Sequence, residues 1–255
     1  MLDQFSQRSC QLEHLDKGDY SPEEYERCIS ELQLVNQWLG DARALKNTLF
    51  REIEKEALRS FSLLDVGAGS GELLRVAAHW ARQTGRFIRA VGLELNERSA
   101  QATLEGSPGF NEISAVRGDA FQLPFTDRQF DYVICSLFTH HFVERQIVDI
   151  LREMSRVATR RIFVIDLHRH ALAYYFYTTV GKLFLHNRLI REDGALSILR
   201  GFKKDELFSL GECAGLENVS VARYFPYRLV LSANAGPGEL AQDGSTISSR
   251  TDRAA

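Results

Sequence analysis

Cysteine is sparse in this chain. Four occur in 255 residues, and Cys10, Cys28, Cys135 and Cys213 stand far apart with no Cys-x-x-Cys pair. A disulfide framework and a structural zinc site are therefore not expected, and Cys135, inside an apolar run, reads as a small core hydrophobe. Long apolar runs are also missing. Ala171 to Leu185 is the nearest to one, but it contains Lys182 and falls short of the roughly eighteen residues that a membrane span needs. The first residues are polar from Asp3 onward, unlike a secretory signal. There is no excess of positive charge either: 31 Lys and Arg face 34 Asp and Glu, a net charge of −3. Nucleic acid is thus not favoured as the main partner, and the cluster Arg200, Lys203 and Lys204 reads as a solvated helix start. A reducing, cytoplasmic setting and a monomer or homodimer are the expectations. With 44% hydrophobic and 25% charged residues, the chain is of ordinary globular composition and long enough for one full α/β domain.

What is present begins at Leu63, where the chain reads LLDVGAGSGEL. An apolar run, Phe61 to Val66, carries Asp65 near its end and leads into Gly67, Ala68, Gly69 and Gly71. Glycines there let the backbone turn tightly and approach a ligand, and a helix starts near Ser70. The ligand is narrowed by two further absences. A dinucleotide loop would have a third glycine where this chain has Glu72, and the Gly-Lys-Ser/Thr of a phosphate loop is not there. Asp65 and Glu72 would both repel a pyrophosphate. A cationic nucleoside without phosphate fits better, and S-adenosylmethionine (SAM) is such a molecule.

The next two apolar elements support that choice. FIRAVGLEL, Phe87 to Leu95, places Glu94 where a doubly wound sheet holds ribose hydroxyls. RGDAFQLPF, Arg117 to Phe125, offers Asp119 to an adenine amino group, with Ala120 or Phe121 packing on the ring. The competing reading is that Asp119 only caps a turn. Leu95 and Ser136 complete the expected cofactor set.

On DVGAGSG (Asp65 to Gly71), GLEL (Gly92 to Leu95), GDAFQLPF (Gly118 to Phe125) and FDYVICSLFTHHF (Phe130 to Phe142), the chain resembles the class I SAM-dependent methyltransferases. The resemblance is firm over about residues 60–165 and looser to about 233. It points to the small-molecule branch, whose members often methylate phenols, quinols or polyketides. The flanks NQWLGDARAL and DLHRHALAYYFY resemble a bacterial subgroup of such enzymes. The loop Ser136-Leu137-Phe138-Thr139 lacks the Asp/Asn-Pro-Pro-Tyr/Phe pattern of nucleic-acid amino methylases.

The expected fold is α/β: a Rossmann-like, doubly wound, mostly parallel seven-stranded sheet with an antiparallel last strand. Strands are expected at 61–66, 87–94, 112–117, 130–136, 161–166, 217–224 and 227–233, and helices at 70–83, 97–105, 145–158 and 203–213. A helical cap fills 1–59. Within it, Ser21-Pro22-Glu23-Glu24 opens a helix running to Gly40, and a second helix spans Asp41 to Leu58. The methyltransferase domain spans 60–233. Inside it, about 171–201 is a helical insertion, an aromatic helix YYFYTTVGKLFLH followed by a glycine-containing link REDGALSIL. Residues 234–255 form a disordered tail.

In an open parallel sheet, ligands bind beyond the carboxyl ends of the strands. Four of the seven histidines fall there: His140 and His141 after strand four, His168 and His170 after strand five. A histidine near neutral pH can take the proton of a phenol or hydroxyl as a methyl group arrives. His140 or His141 is the first candidate and His168 the second, against the plainer reading that methyl transfer proceeds by proximity alone. Asp166, His168 and His170 form a weaker divalent-metal grouping, and no metal is expected. His170, Tyr174, Tyr175 and Arg200 are the candidate acceptor contacts. Arg200 has the plainer role of pairing with a surface acid. The functional expectation is methyl transfer from SAM to an oxygen of a hydroxylated aromatic or polyketide-like acceptor. Carbon methylation, as in quinone biosynthesis, is the alternative, and a non-catalytic SAM-fold binding protein is a further one.

Overall fold

The computed structural model describes residues 3–18, 20–21, 40–181 and 187–236. Seven strands form one sheet: β1 (Ser60–Val66), β2 (Phe87–Glu94), β3 (Ile113–Arg117), β4 (Phe130–Ser136), β5 (Ala158–Leu167), β6 (Glu217–Tyr224) and β7 (Arg228–Asn234). Their order is β3-β2-β1-β4-β5-β7-β6. The pairs β1–β2, β2–β3, β1–β4 and β4–β5 are parallel, while β7 runs antiparallel to both β5 and β6. The fold is the Rossmann-like α/β arrangement expected, with an antiparallel last strand. The winding reverses between β1 and β4, which is where open sheets of this kind bind ligands.

The inner strands are apolar runs because both of their faces are covered. Alternation along β1 sends Leu64 into one core and Leu63 into the other. On one face the sheet shares a core with Ile147, Leu151 and Met154 of α4 (Glu144–Val157) and Leu207 of α7 (Lys204–Cys213). On the other it shares a core with Leu74 and Ala77 of α2 (Glu72–Gln83) and with Leu45, Leu49 and Ile53 of α1 (41–55). Helix α1 comprises Asp41–Leu45, a π-helical turn Lys46–Phe50, and Arg51–Lys55, so it ends before the expected Leu58. Helix α3 (Glu97–Glu105) packs beside β2 and β3, and its start is fixed by Asn96, whose side chain accepts from the Ser99 N–H at 2.8 Å.

Two expectations need correction. The stretch REDGALSIL is not a link: it lies within α6 (Arg188–Arg200), paired with α5 (Ala171–Thr179). Asn187 starts α6 by accepting from the Leu189 N–H at 2.8 Å. Gly194 serves close approach, since a Cβ there would stand 2.0 Å from the Tyr177 hydroxyl. Residues 234–236 are also ordered rather than tail. Asn234 belongs to β7, the Ala235 N–H donates to Arg160 O at 2.9 Å, and the Gly236 N–H donates to Ser155 Oγ at 3.0 Å. The rest of the expected tail and most of the helix expected over 21–40 lie outside the described residues.

The α5–α6 excursion returns to its point of departure. Arg169 N–H donates to Phe202 O, and Phe202 N–H donates to Leu167 O, each at 2.8 Å. The two helices are thereby set beside the carboxyl end of β5. Among the described residues, no helix is long and apolar enough to cross a membrane.

Candidate active site

A cavity of about 840 Å³ lies at the carboxyl ends of β1, β4 and β5. Its wall is made by the glycine loop, the loop after β4, His168, helices α5 and α6, and the turn between β6 and β7. The volume falls in the ordinary range for small-molecule sites.

Asp65, the next-to-last residue of β1, pairs with Gly92 of β2 on one side and Ile134 of β4 on the other. It is 2% exposed, and its Oδ1 has no hydrogen-bond partner among the described residues. Burial, and then the charge of Glu94, hold its carboxyl well above the usual range. Gly67 and Ala68 both donate to Leu93 O, at 2.9 and 3.3 Å. Gly67 has φ +73°, and a Cβ there would stand 2.5 Å from the Phe138 ring, so this position tolerates only glycine. The Gly69 N–H donates to the Glu94 carboxylate. Burial raises the Glu94 carboxyl, with the Gly69 and Leu95 N–H groups acting against it. Gly71 closes the loop by donating to Ala68 O at 2.9 Å. Ser136 Oγ is a second buried polar atom without a partner among the described residues. Two unsatisfied oxygens on a glycine-shaped cradle suit a cation that also carries hydroxyl and N–H groups, and SAM fits this donor set.

Leu95, Asp119, Ala120 and Phe121 are not part of the cavity wall. Asp119 Oδ1 accepts from the Phe121 N–H at 2.9 Å, which is the turn-capping role. Ala120 is buried, while Leu95 is exposed and Phe121 stands edge-on to Phe142 at 5.5 Å. The three acids thus follow three adjacent strands, but only Asp65 faces the cavity. Glu94 reaches the loop from behind, through Gly69.

On the other side of the cavity, the loop after β4 puts its two histidines in different roles. His140 is buried, and its Nδ1 sits 2.7 Å from Asp166 Oδ1. Asp166 Oδ2 accepts from Thr139 Oγ1 at 2.6 Å and from the His140 N–H at 3.1 Å. Burial alone would raise the Asp166 carboxyl, but His140 and Thr139 outweigh it and hold it below the usual range. His141 is less buried and lies 4.0 Å from Glu13 Oε2; Glu13 Oε1 is 3.9 Å from His140 Nε2. Leu137, also in the wall, has φ +50°, a strained setting for a branched side chain. His168 lines the cavity too. Burial, and then Arg223, His170 and Arg169, lower its pKa to about 4, so its ring is uncharged and weakly basic at neutral pH.

Four expected acceptor contacts lie elsewhere. Arg200 is buried, and its guanidinium donates to the carbonyls of Gln11, His140 and His141. It braces the histidine loop. His170 caps α5, its Nδ1 accepting from the Leu172 N–H at 3.1 Å. Tyr174 and Tyr175 turn toward Phe5, at 5.6 and 6.0 Å between rings. The α5 residues in the wall are Leu172, Ala173, Phe176 and Tyr177, one helical turn apart. The grouping of Asp166, His168 and His170 as metal ligands does not form, because the Asp166 carboxylate is engaged by His140, Thr139 and the Leu167 N–H. The donor atoms that do gather, within 4.8 Å of one another, belong to Glu13, His140 and His141. Glu13 was not anticipated: it sits in a polar, unpatterned segment and is 3% exposed, bonded to Ser197 Oγ at 2.7 Å.

Comparison with known proteins agrees with this geometry. A methyltransferase domain model matches residues 64–164, the span from the glycine loop through β5. Over this span the chain is similar to the class I SAM-dependent methyltransferases. A curated relative of this chain, the demethylmenaquinone methyltransferase of Staphylococcus carnosus (strain TM300), is 27% identical over 173 residues, covering 63% of this chain and 70% of the relative. The magnesium protoporphyrin IX methyltransferase of Synechocystis PCC 6803, solved with bound S-adenosylhomocysteine, has a TM-score of 0.51 at 18% identity, covering 78% of this chain and 84% of its own. The CurJ carbon methyltransferase has a TM-score of 0.63 at 12% identity, covering 92% of this chain and 66% of its own. SAM is the cofactor that the glycine-loop site and the matched domain support.

Proposed function

We propose that this methyltransferase acts on an oxygen of a hydroxylated, largely apolar acceptor, with His140 as the general base. The observation that carries the reading is His140 in the wall of the cavity that the glycine loop also lines, its Nδ1 held 2.7 Å from the buried Asp166.

Asp65 and the loop from Gly67 to Gly71 hold the methionine end, and Glu94 supports that loop through the Gly69 N–H. SAM, when bound, supplies an electrophilic methyl group on a sulfonium. The chain itself supplies alignment, a dry wall and a place for the acceptor's proton. Asp166 stays ionised at neutral pH and accepts from Nδ1–H, so Nε2 of His140 is the basic nitrogen. A phenol titrates near pH 10, as tyrosine does, so a base in contact raises the reactive fraction. Proton transfer to Nε2 leaves an imidazolium beside Asp166, which stabilises it. His141 faces the same cavity and helps to orient the acceptor, and His168 gives an uncharged polar edge. Leu172, Phe176, Tyr177 and Ile198 supply an apolar wall for the acceptor body.

A second reading, carbon methylation of a phenol or quinol ring, is supported by the likeness to a demethylmenaquinone methyltransferase and a carbon methyltransferase. The same deprotonation would make a ring carbon nucleophilic. Turnover of methyl-labelled SAM with a panel of phenols and quinols, with products assigned by NMR, tests both. A methoxy product supports the first reading and a ring-methyl product the second. No labelled product with any acceptor, from a protein that binds SAM, would contradict both and favour a binding protein.

A further inference from the structure

The methionine end of SAM bears an α-carboxylate as well as two positive centres, the sulfonium and the α-ammonium. The described wall residues of formal charge are Glu13, Asp41, Asp65, Glu72, Asp193 and Arg228. Five are acids, which suit the positive centres and repel the carboxylate. Among the described residues of the wall, Arg228 is the one arginine or lysine.

Its setting is specific. Arg228 opens β7, paired opposite Leu167 of β5, and is 2% exposed. Its Nε donates to Asp41 Oδ1 and its Nη2 to Asp41 Oδ2, the latter at 3.3 Å. Asp41 is the first residue of α1 and is itself buried. It lies close enough to Glu72 to act on that carboxyl, which burial first and then Asp41 push up. Glu72 opens α2 immediately after the glycine loop. The pair lines the same cavity as Glu72 and the loop assigned to the methionine end. A buried ion pair of this kind adds little net stability over apolar packing. A guanidinium has five N–H donors in a rigid fork, and Asp41 is the only hydrogen-bond partner of this one among the described residues.

We propose that Arg228, oriented by Asp41, binds the α-carboxylate of the methionine end of SAM. This deepens the assignment of the cavity and rests on it.

Calorimetry on the full chain tests it with three probes: S-adenosylhomocysteine; S-adenosyl-3-thiopropylamine, which lacks only the carboxylate; and 5′-methylthioadenosine, which lacks carboxylate and amine. The wild type is expected to bind the first at least about 30-fold more tightly than the second, as for a desolvated charge pair. In Arg228→Met this preference shrinks to about 3-fold or less, while 5′-methylthioadenosine binds as before. Equal affinity of the wild type for the first two probes overturns the assignment and needs no variant. Retention of the full preference in Arg228→Met does the same. Should Arg228→Met not fold, Arg228→Lys keeps the charge without the bidentate fork and is expected to show an intermediate preference; an undiminished one counts against the assignment. If none of the three probes binds the wild type, the SAM site itself is wrong. If all three bind equally, only the role of Arg228 is lost.

Discussion

His140 and Asp166 are joined twice. The ring Nδ1 meets Oδ1 at 2.7 Å, and the His140 main-chain N–H meets Oδ2 at 3.1 Å. One carboxylate thus fixes both the imidazole and the turn that carries it. Asp166→Asn keeps the shape and removes the charge. It is expected to lower kcat by roughly 10²-fold or more, with affinity for S-adenosylhomocysteine within about 3-fold of the wild type. Steady-state kinetics beside calorimetry checks this. An unchanged kcat would leave alignment alone as the source of rate.

The acceptor wall is read from helical phase. Phe176→Ala is expected to raise the acceptor KM by about 10-fold, the value of a few buried methylenes. Tyr174→Ala, whose ring packs on Phe5, is expected to lower stability by about 1–3 kcal/mol with little change in KM. The reverse pattern would move the acceptor to the other face of α5.

Gly194 sets the distance between α5 and α6. Gly194→Ala places a methyl group 2.0 Å from the Tyr177 hydroxyl, which itself donates to Ile190 O. A destabilisation of about 1–3 kcal/mol is expected from the forced separation, together with a higher acceptor KM. A thermal melt equal to that of the wild type would show that the helix pair is not close-packed.

The sheet and the cofactor side were legible because their signals are local. β1 and β4 are apolar runs buried on both faces, and the glycine loop and its acids are contiguous with strand ends. The acceptor side depends on partners remote in the chain. Gly194 looks like a helix breaker until Tyr177 is seen against it. An unbroken aromatic run cannot disclose that Phe176 lines the cavity while Tyr174 packs on Phe5. Arg200 looks like a free cation until its three carbonyl partners are known. Glu13 carries no signal, since its burial comes from Ser197 and the histidine loop. His140 was legible as a candidate, but its partner emerges only from the β4–β5 register, Ser136 opposite Ile165, which sets Thr139 and His140 against Asp166.

His168 gives the fold an acid sensitivity. The groups acting on it are Arg223, His170 and Arg169, after burial, and its pKa falls to about 4. In the unfolded chain a histidine titrates near 6.5. The unfolded state therefore binds the proton first, and the contribution present above about pH 6.5 is lost as pH falls toward 4. His168→Gln is expected to flatten the decline of Tm between pH 6.5 and 4. A decline as steep as that of the wild type would contradict the depressed pKa.

The central claim is that the buried Asp65 carboxylate and the loop after it hold the methyl donor. Calorimetric titration of S-adenosylhomocysteine into the wild type and into Asp65→Asn tests it directly. The account predicts binding by the wild type and a loss of about 10-fold or more in the variant, the worth of a buried charged hydrogen bond. Equal affinity in the two proteins, or no binding by the wild type, would contradict it.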